Sequence, residues 1–166
     1  METHAVIREA VASDAAAIAH IYNESVTGST ASFQAEPETE ESRGVWLAEH
    51  DDTHPVIVAE RAGEIVAWGA LSPFRPREGW RLTVEDSVYV AAEHQRQGIG
   101  RLILTDLIAR ARLAGHHCIV AAISADQPAS IALHAALGFM EAGRIREGGR
   151  KFDRWLDCVL MELIVG

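Results

Sequence analysis

The 166-residue sequence predicts one domain, an α/β sandwich built on a mixed β-sheet. Short runs rich in Val and Ile alternate with amphipathic stretches, and their order along the chain is βααβββαβαββ. A strand, a helix and another strand follow one another over residues 82–122, which favours parallel pairing there. The last two runs predict an antiparallel pair, so the sheet is expected to combine both kinds of pairing.

Helix caps and turn residues mark the boundaries of the predicted elements in the N-terminal half. Ser13 and Thr39 are the expected N-caps of two helices because each precedes apolar residues at helical spacing. In order, the predicted elements are a strand at 4–9, a helix after Ser13, a loop at 27–37, a helix after Thr39, strands at 55–60 and 65–71 joined by a turn at 61–64, and a loop at 72–80.

The C-terminal half begins with a long strand whose two faces differ. A helix follows it, since apolar residues recur at three- and four-residue spacing, and Gly115 ends this helix. The predicted elements are a strand at 82–90, a helix at 98–114, a strand at 117–123, a helix from Asp126-Gln127-Pro128 to Gly138, and an antiparallel pair at 139–147 and 150–164 that turns around Gly148-Gly149.

Composition excludes several classes of function. The net charge is -9 and no Lys/Arg run exceeds two residues, so nucleic acid and an anionic membrane surface are not expected partners. No apolar stretch approaches the ~20 residues of a membrane span. Two cysteines, Cys118 and Cys158, predict reduced thiols in a cytoplasmic protein. His116-His117-Cys118 is a poor chelate, because neighbours on a strand point to opposite faces, so no metal is expected.

The most informative local pattern is Gln95-x-x-Gly98-x-Gly100, a turn between a strand and a helix. The first amides of a helix lack acceptors and lie at the positive end of its dipole, so they can bind a phosphate. The turn is not the dinucleotide fingerprint, since Ile103 occupies the third glycine position. On spacing alone, a phosphate site and a simple helix start remain open.

Several separated motifs accompany the glycine turn along the chain. They are the turn itself after Val88-Tyr89-Val90, Ile21-Tyr22-Asn23-Glu24, Ser29-Thr30-Ala31-Ser32-Phe33, the strand from Thr83, Ser130-Ile131-Ala132-Leu133-His134, Leu137-Gly138-Phe139 and the segment 151–157. In this order they resemble the motifs of the GNAT superfamily and, within it, the phosphinothricin and methionine sulfoximine (or sulfone) N-acetyltransferases, over essentially the whole chain. The resemblance implies the GNAT acyl-CoA N-acyltransferase fold, with helices on both faces of the sheet, and a homodimer with substrate pockets near its interface.

The resemblance implies acetyl-coenzyme A as co-substrate, with its pyrophosphate on the turn and its pantetheine arm along the preceding strand. Gln127 stands where the family usually has an asparagine that binds this arm, and Asp153 replaces a common glycine. The residues implied for the cofactor are Val88, Tyr89, Val90, Gln95, Arg96, Gln97, Gly98, Ile99, Gly100, Arg101, Gln127 and Ser130.

Acetyl transfer needs a base, because an α-amino group with a pKa of ~8 is mostly protonated at neutral pH. Glu85 lies mid-strand among apolar residues, where desolvation would raise its pKa, and it matches the family's proposed base. The alternative is a carboxylate paired with Arg75 or Arg77. His134 matches a position implicated in proton transfer, with a structural histidine as the alternative.

An arginine pair suits the carboxylate of an amino-acid substrate, because guanidinium groups bind carboxylates through two parallel hydrogen bonds. The alternative is a solvated loop. Asp86 is expected to tune the substrate, since its position varies in the family. The residues predicted for substrate binding are Phe33, Phe74, Arg75, Arg77, Glu85, Asp86, Ser87, Lys151 and Trp155.

The sequence therefore predicts direct transfer of acetyl from acetyl-coenzyme A to a small amino acid or analogue such as phosphinothricin, methionine sulfoximine or methionine sulfone. Resistance and metabolic detoxification enzymes share these motifs. Acetylation of peptide N-termini or other amines is one rival; the two arginines argue against a polyamine. A coenzyme A-binding sensor without turnover is a rival of another class.

Overall fold

A computed structural model describes residues 4–166 of the chain. Its strands and helices follow the predicted order. They are β1 (Val6–Glu9), α1 (Ala15–Gly28), α2 (Glu40–Ala48), β2 (Val56–Arg61), β3 (Glu64–Pro73), β4 (Thr83–Val90), α3 (Ile99–Leu113), β5 (Cys118–Ser124), α4 (Pro128–Ala136), β6 (Met140–Lys151) and β7 (Arg154–Ile164). Among these residues, no helix is long and apolar enough to cross a membrane.

All seven strands of the described chain belong to one sheet with the order β1-β2-β3-β4-β5-β7-β6. Only β4 and β5 pair in parallel, as the strand–helix–strand unit predicts, and the other neighbours are antiparallel. The parallel pairing stops after Glu85 and Val120, although both strands continue. The two strands therefore diverge in the middle of the sheet.

Helices cover both faces of the sheet, so the predicted α/β sandwich is confirmed. Ile18 and Ile21 of α1 pack with Val58 and Trp68 on one face. The larger cluster lies on the other face and includes Ile103 and its neighbours on α3. Gly69 of β3 permits the close approach of α3, because a Cβ at this position would lie 2.4 Å from Ile103 Cγ2.

The N-cap predicted at Ser13 is wrong. A short 3₁₀ turn over Ala12–Asp14 precedes α1, and the Asp14 carboxylate accepts a hydrogen bond from the Val11 amide at 2.8 Å. Arg8 pairs with the same carboxylate at 2.8 Å. Thr39 does cap α2, since its hydroxyl accepts from the Ser42 amide at 3.0 Å.

The turn predicted at Gly148-Gly149 is also wrong. Both glycines lie inside β6 at a register shift, and the chain turns at Phe152 and Asp153, whose φ angles are 50° and 57°. Both glycines serve packing instead: a Cβ at Gly149 would lie 2.4 Å from the ring of Phe33, and one at Gly148 would lie 2.7 Å from Ile145 Cγ2. Close packing at a strand irregularity therefore explains the Gly-Gly pair that local turn preference assigns to a hairpin.

Candidate active site

A cavity of about 160 Å3 opens where β4 and β5 diverge. It combines five consecutive residues of β4 with the end of β5 and one side of α4. Its lining residues are Ala31, Glu85, Asp86, Ser87, Val88, Tyr89, Ala122, Ile123, Ser124, Gln127, Ser130 and His134. Eight of these are residues that the sequence predicts for the site.

The glycine turn leads from β4 into α3 and is shaped by two left-handed residues. Gly98 has a φ of 80° and Arg96 a φ of 61°, and the Gln95 side chain closes the turn by donating to Val90 O at 3.1 Å. The first backbone hydrogen bond of the helix runs from the Leu102 amide to the Gly98 carbonyl oxygen, at 3.1 Å. The amides of residues 96–101 have no acceptor within residues 4–166, so they can bind an anion.

Two further contacts set the shape of this turn. Arg61 donates to the Gln97 side chain at 2.6 Å, which joins the β2–β3 hairpin to the turn. Ile99 is 1% exposed and packs in the core, so its backbone rather than its side chain is available to a cofactor. Arg101 is exposed on the first turn of α3.

Glu85 lies on β4 at the point where the strands diverge, opposite Ser72 and Val120. Its carboxylate has no hydrogen-bond or ion-pair partner in the described part of the chain, so the alternative of pairing with Arg75 or Arg77 is not found. Burial raises the pKa of Glu85, and the neighbouring Asp86 charge raises it further. The result is an unpaired carboxylate in the cavity with increased basicity.

His134 is fixed at both ring nitrogens. Nδ1 lies 2.8 Å from the Ser130 carbonyl oxygen and Nε2 lies 2.9 Å from Asp86 Oδ2. Both side chains of the His134–Asp86 pair are nearly inaccessible, at 4% and 5% exposure. Burial favours neutral His134, but the hydrogen bond and charge of Asp86 outweigh it and raise the pKa of His134. Pairing of these two residues is absent from the sequence prediction.

Tyr89 forms a rigid side of the cavity. Its ring stacks on Trp68 at 5.0 Å and meets Tyr22 edge-on at 5.1 Å. Its hydroxyl donates to the Ala31 carbonyl at 3.3 Å, and burial raises its pKa strongly. Tyr89 thereby attaches the α1–α2 loop to β4.

A second set of contacts attaches the same loop to the start of α4. Asp126 accepts from Thr30 at 2.6 Å, from Ser124 at 2.7 Å and from Arg154 at 2.7 Å. Although burial opposes ionisation, these bonds lower the pKa of Asp126 to about 2. Gln127, predicted to bind the cofactor arm, donates its side-chain amide to Thr30 at 2.8 Å. Asp126 and Thr30 were not predicted as site residues. The one sequence signal for them is that each lies close along the chain to a predicted site residue, Asp126 next to Gln127 and Thr30 in the same motif as Phe33.

Lys151 is 7% exposed and its ammonium contacts the end of α1 and the α1–α2 loop. Its ammonium donates to the carbonyls of Ser25, Ser29 and Ser32 at 3.3, 2.8 and 2.6 Å, and burial lowers its pKa. These three bonds occupy the donors that the predicted substrate contact would need. Lys151 therefore acts on the cavity through the loop backbone.

The remaining predicted substrate residues lie outside the cavity. Arg75 and Arg77 are exposed, and the Arg75 guanidinium lies 5.0 Å from the ring of Phe74. Phe33 is 39% exposed and Trp155 is 61% exposed. The structure thus brings the two predicted catalytic residues, four of the predicted cofactor residues, and Asp86 and Ser87 of the substrate set to one cavity. It leaves the other predicted substrate-binding side chains outside that cavity, namely Phe33, Phe74, Arg75, Arg77, Lys151 and Trp155.

Known proteins are similar to this chain in sequence and in fold. Residues 16–139 match the acetyltransferase (GNAT) family. The chain is 41% identical over 161 residues to the L-methionine sulfoximine/L-methionine sulfone acetyltransferase of Pseudomonas paraeruginosa, and the alignment covers 96% of this chain and 94% of that protein.

Two solved structures are similar over nearly the whole chain. The ribosomal-protein-alanine N-acetyltransferase from Brucella melitensis has a TM-score of 0.93 and 42% identity, covering 96% of this chain and 99% of that chain. A phosphinothricin acetyltransferase from Sinorhizobium meliloti, in complex with acetyl-coenzyme A, has a TM-score of 0.92 and 35% identity, covering 98% and 89%. The resemblance stated from the motifs is confirmed, and the chain belongs to the GNAT family of acetyltransferases, which use acetyl-coenzyme A as co-substrate.

Proposed function

We propose that this enzyme transfers acetyl from acetyl-coenzyme A directly to the amino group of a small amino acid or analogue, with Glu85 as the base. The substrates we expect are methionine sulfoximine, methionine sulfone and phosphinothricin, the compounds named for two of its relatives. The observation that carries the proposal is the unpaired Glu85 carboxylate in a cavity on β4, the strand that leads to the free amides of residues 96–101.

The glycine turn and the gap between β4 and β5 together give the orientation that we propose for acetyl-coenzyme A. The amides of residues 96–101 would bind the pyrophosphate, helped by the positive end of the α3 dipole. The pantetheine arm would then run along Val88–Val90 toward the gap between β4 and β5, with Ser130 and Gln127 on its other side. The thioester would reach the cavity near Glu85.

The chemistry follows from this placement. The amine nitrogen attacks the thioester carbon while Glu85 accepts its proton, directly or through water. A backbone amide near Val88 would stabilise the oxyanion, and the carbon–sulfur bond then breaks to release the coenzyme A thiolate. The thiolate finally takes up a proton, so the reaction yields the amide and free coenzyme A without an acyl-enzyme.

The substrate carboxylate would bind Arg75 and Arg77. In a single chain these residues are exposed, as is Trp155 at the end of the sheet. We propose that a homodimer covers this region and completes the substrate pocket near its interface. The two guanidinium groups would also disfavour a polyamine substrate by charge repulsion.

Release of free thiol from acetyl-coenzyme A tests the proposal. The substrates compared are the three amino-acid analogues and a peptide that begins with alanine, because one relative is named for ribosomal protein alanine. Faster turnover of an analogue is the expected result, and methionine sulfoximine already acetylated on its amine is the control. Turnover of the peptide alone would contradict the substrate class. Binding of acetyl-coenzyme A without thiol release from any substrate would favour a sensor.

A further inference from the structure

Asp86 and His134 form a buried, hydrogen-bonded pair that takes no part in the chemical steps proposed above. The pair connects β4 to α4 across the gap between the strands, with 2.9 Å between Nε2 and Oδ2. Asp86 lies next to Glu85, so the pair borders the proposed base. The ring of His134 is also held edge-on by Phe139, at 4.9 Å between ring centroids.

The hydrogen-bond partners determine where the protons of His134 reside. The Ser130 carbonyl oxygen, 2.8 Å from Nδ1, can only accept, so Nδ1 carries a proton. An ionised Asp86 carboxylate can also only accept, so Nε2 carries the second proton. With both nitrogens donating, His134 has no lone pair free to take a proton from a substrate.

We propose that Asp86 is a positioning residue: its ion pair holds His134 as a fixed imidazolium and leaves Glu85 as the proton acceptor of the cavity. This rests on the proposed function for its catalytic consequence, although the ion pair can be tested without any substrate. Other titratable groups that line the same cavity are Glu85 and Tyr89 on β4, and Cys158 on β7 is near enough to interact electrostatically with Glu85. Of these, only Glu85 combines a carboxylate with a position in the cavity.

Titration of His134 by NMR in the free protein is the first test. The signal is assigned by its loss in His134→Gln, and Asp86→Asn is compared with wild type. In wild type we expect His134 to stay protonated above the ordinary pKa of 6.5. Asp86→Asn should move its pKa below 6.5, because burial remains while the partner charge is lost.

A matched Asp→Asn control is Asp153→Asn, whose side chain is 95% exposed at the β6–β7 turn and which should leave His134 unchanged. Titration of wild-type His134 at or below 6.5, or no change in Asp86→Asn, would overturn the proposal. These results do not depend on turnover, so they are distinct from failure of the proposed function.

Kinetics of a double variant are the second test. If Asp86 acts through His134, then Asp86→Asn and His134→Gln should each lower kcat by about tenfold, and the double variant should lose no more than either single variant. If the kcat losses of the two single variants multiply in the double variant, the two residues have independent roles and the proposal is overturned. A fall confined to thermal stability, with unchanged kcat and pH profile, would also overturn it.

Discussion

The two sides of the cavity are built in different ways. Most of the proposed cofactor side comes from one continuous segment, residues 85–101, with Gln127 and Ser130 added from the start of α4. The proposed acceptor side depends on exposed side chains from three distant segments, at Phe33, Arg75–Arg77 and Trp155. Backbone conformation forms the first side within a single chain, whereas the side chains proposed for the second side lie apart in a single chain.

Glu85 lies at the boundary between the two sides, and its replacement should have the largest effect. Glu85→Gln should lower kcat by about 10²–10³-fold at pH 7, because general-base catalysis is lost while shape is retained. Since the pKa of Glu85 is raised, wild-type activity should fall as pH decreases through that pKa. The deficit of the variant should shrink at high pH, where the amine loses its proton unaided.

Steady-state kinetics across pH would measure this effect. Glu64→Gln, at an exposed position on β3, is the matched control and should keep the wild-type profile. Equal pH profiles for Glu85→Gln and wild type would show that the base lies elsewhere.

Lys151 tests whether the acceptor side is formed by direct contacts or through the loop. Lys151→Met should lower the free energy of unfolding by about 2 kcal/mol, because three backbone carbonyls lose a charged donor. Urea denaturation would measure it, with the more exposed neighbour Arg150→Met as the control. Unchanged stability together with a raised KM for the amine would instead support the substrate contact predicted from sequence.

Gly98 tests whether the cofactor side depends on backbone conformation. Gly98→Val should weaken acetyl-coenzyme A binding about tenfold, because a β-branched residue is strained at a φ of 80° and tilts the amides away. Gly115→Val is a close control, since Gly115 also has a φ of 80° and open space around it, at the other end of α3. Calorimetry should detect weaker binding in the first variant alone; equal effects would indicate general destabilisation.

Arg75 should give the smallest effect, because its side chain is exposed and solvated. Arg75→Ala should raise the KM for an amino-acid substrate about threefold to tenfold and leave the KM for acetyl-coenzyme A unchanged. A substrate methyl ester, which lacks the carboxylate, should bind wild type and variant equally. An equal rise in KM for the amino acid and its methyl ester in Arg75→Ala would show that Arg75 does not bind the substrate carboxylate.

Sequence patterns predicted the features that depend on neighbouring residues. The strand containing Glu85, the glycine turn and the alternation of strands and helices all follow from local periodicity and from residues that favour turns. The resemblance to N-acetyltransferase motifs, rather than periodicity, indicated the cavity residues Tyr89 and His134 and supported Glu85 as the base.

Contacts between distant segments were not predictable in this way. Asp86 and His134 are 48 residues apart, and nothing local to either residue indicates the other. Lys151 donates to carbonyls more than 100 residues away in sequence, so the residues around it do not indicate these contacts. The turn at Phe152–Asp153 was missed because Gly148-Gly149 has the stronger local preference, which the packing of Phe33 overrides.

We propose that the free amides of residues 96–101 bind the pyrophosphate of acetyl-coenzyme A. Hydrogen exchange measured by NMR follows each of these amides individually. In the free protein these amides should exchange quickly, and saturating coenzyme A should protect them while the amides of Phe74, Arg75 and Arg77 stay unchanged. Fast exchange at residues 96–101 in the saturated complex, or protection confined to Phe74, Arg75 and Arg77, would contradict this placement of the cofactor.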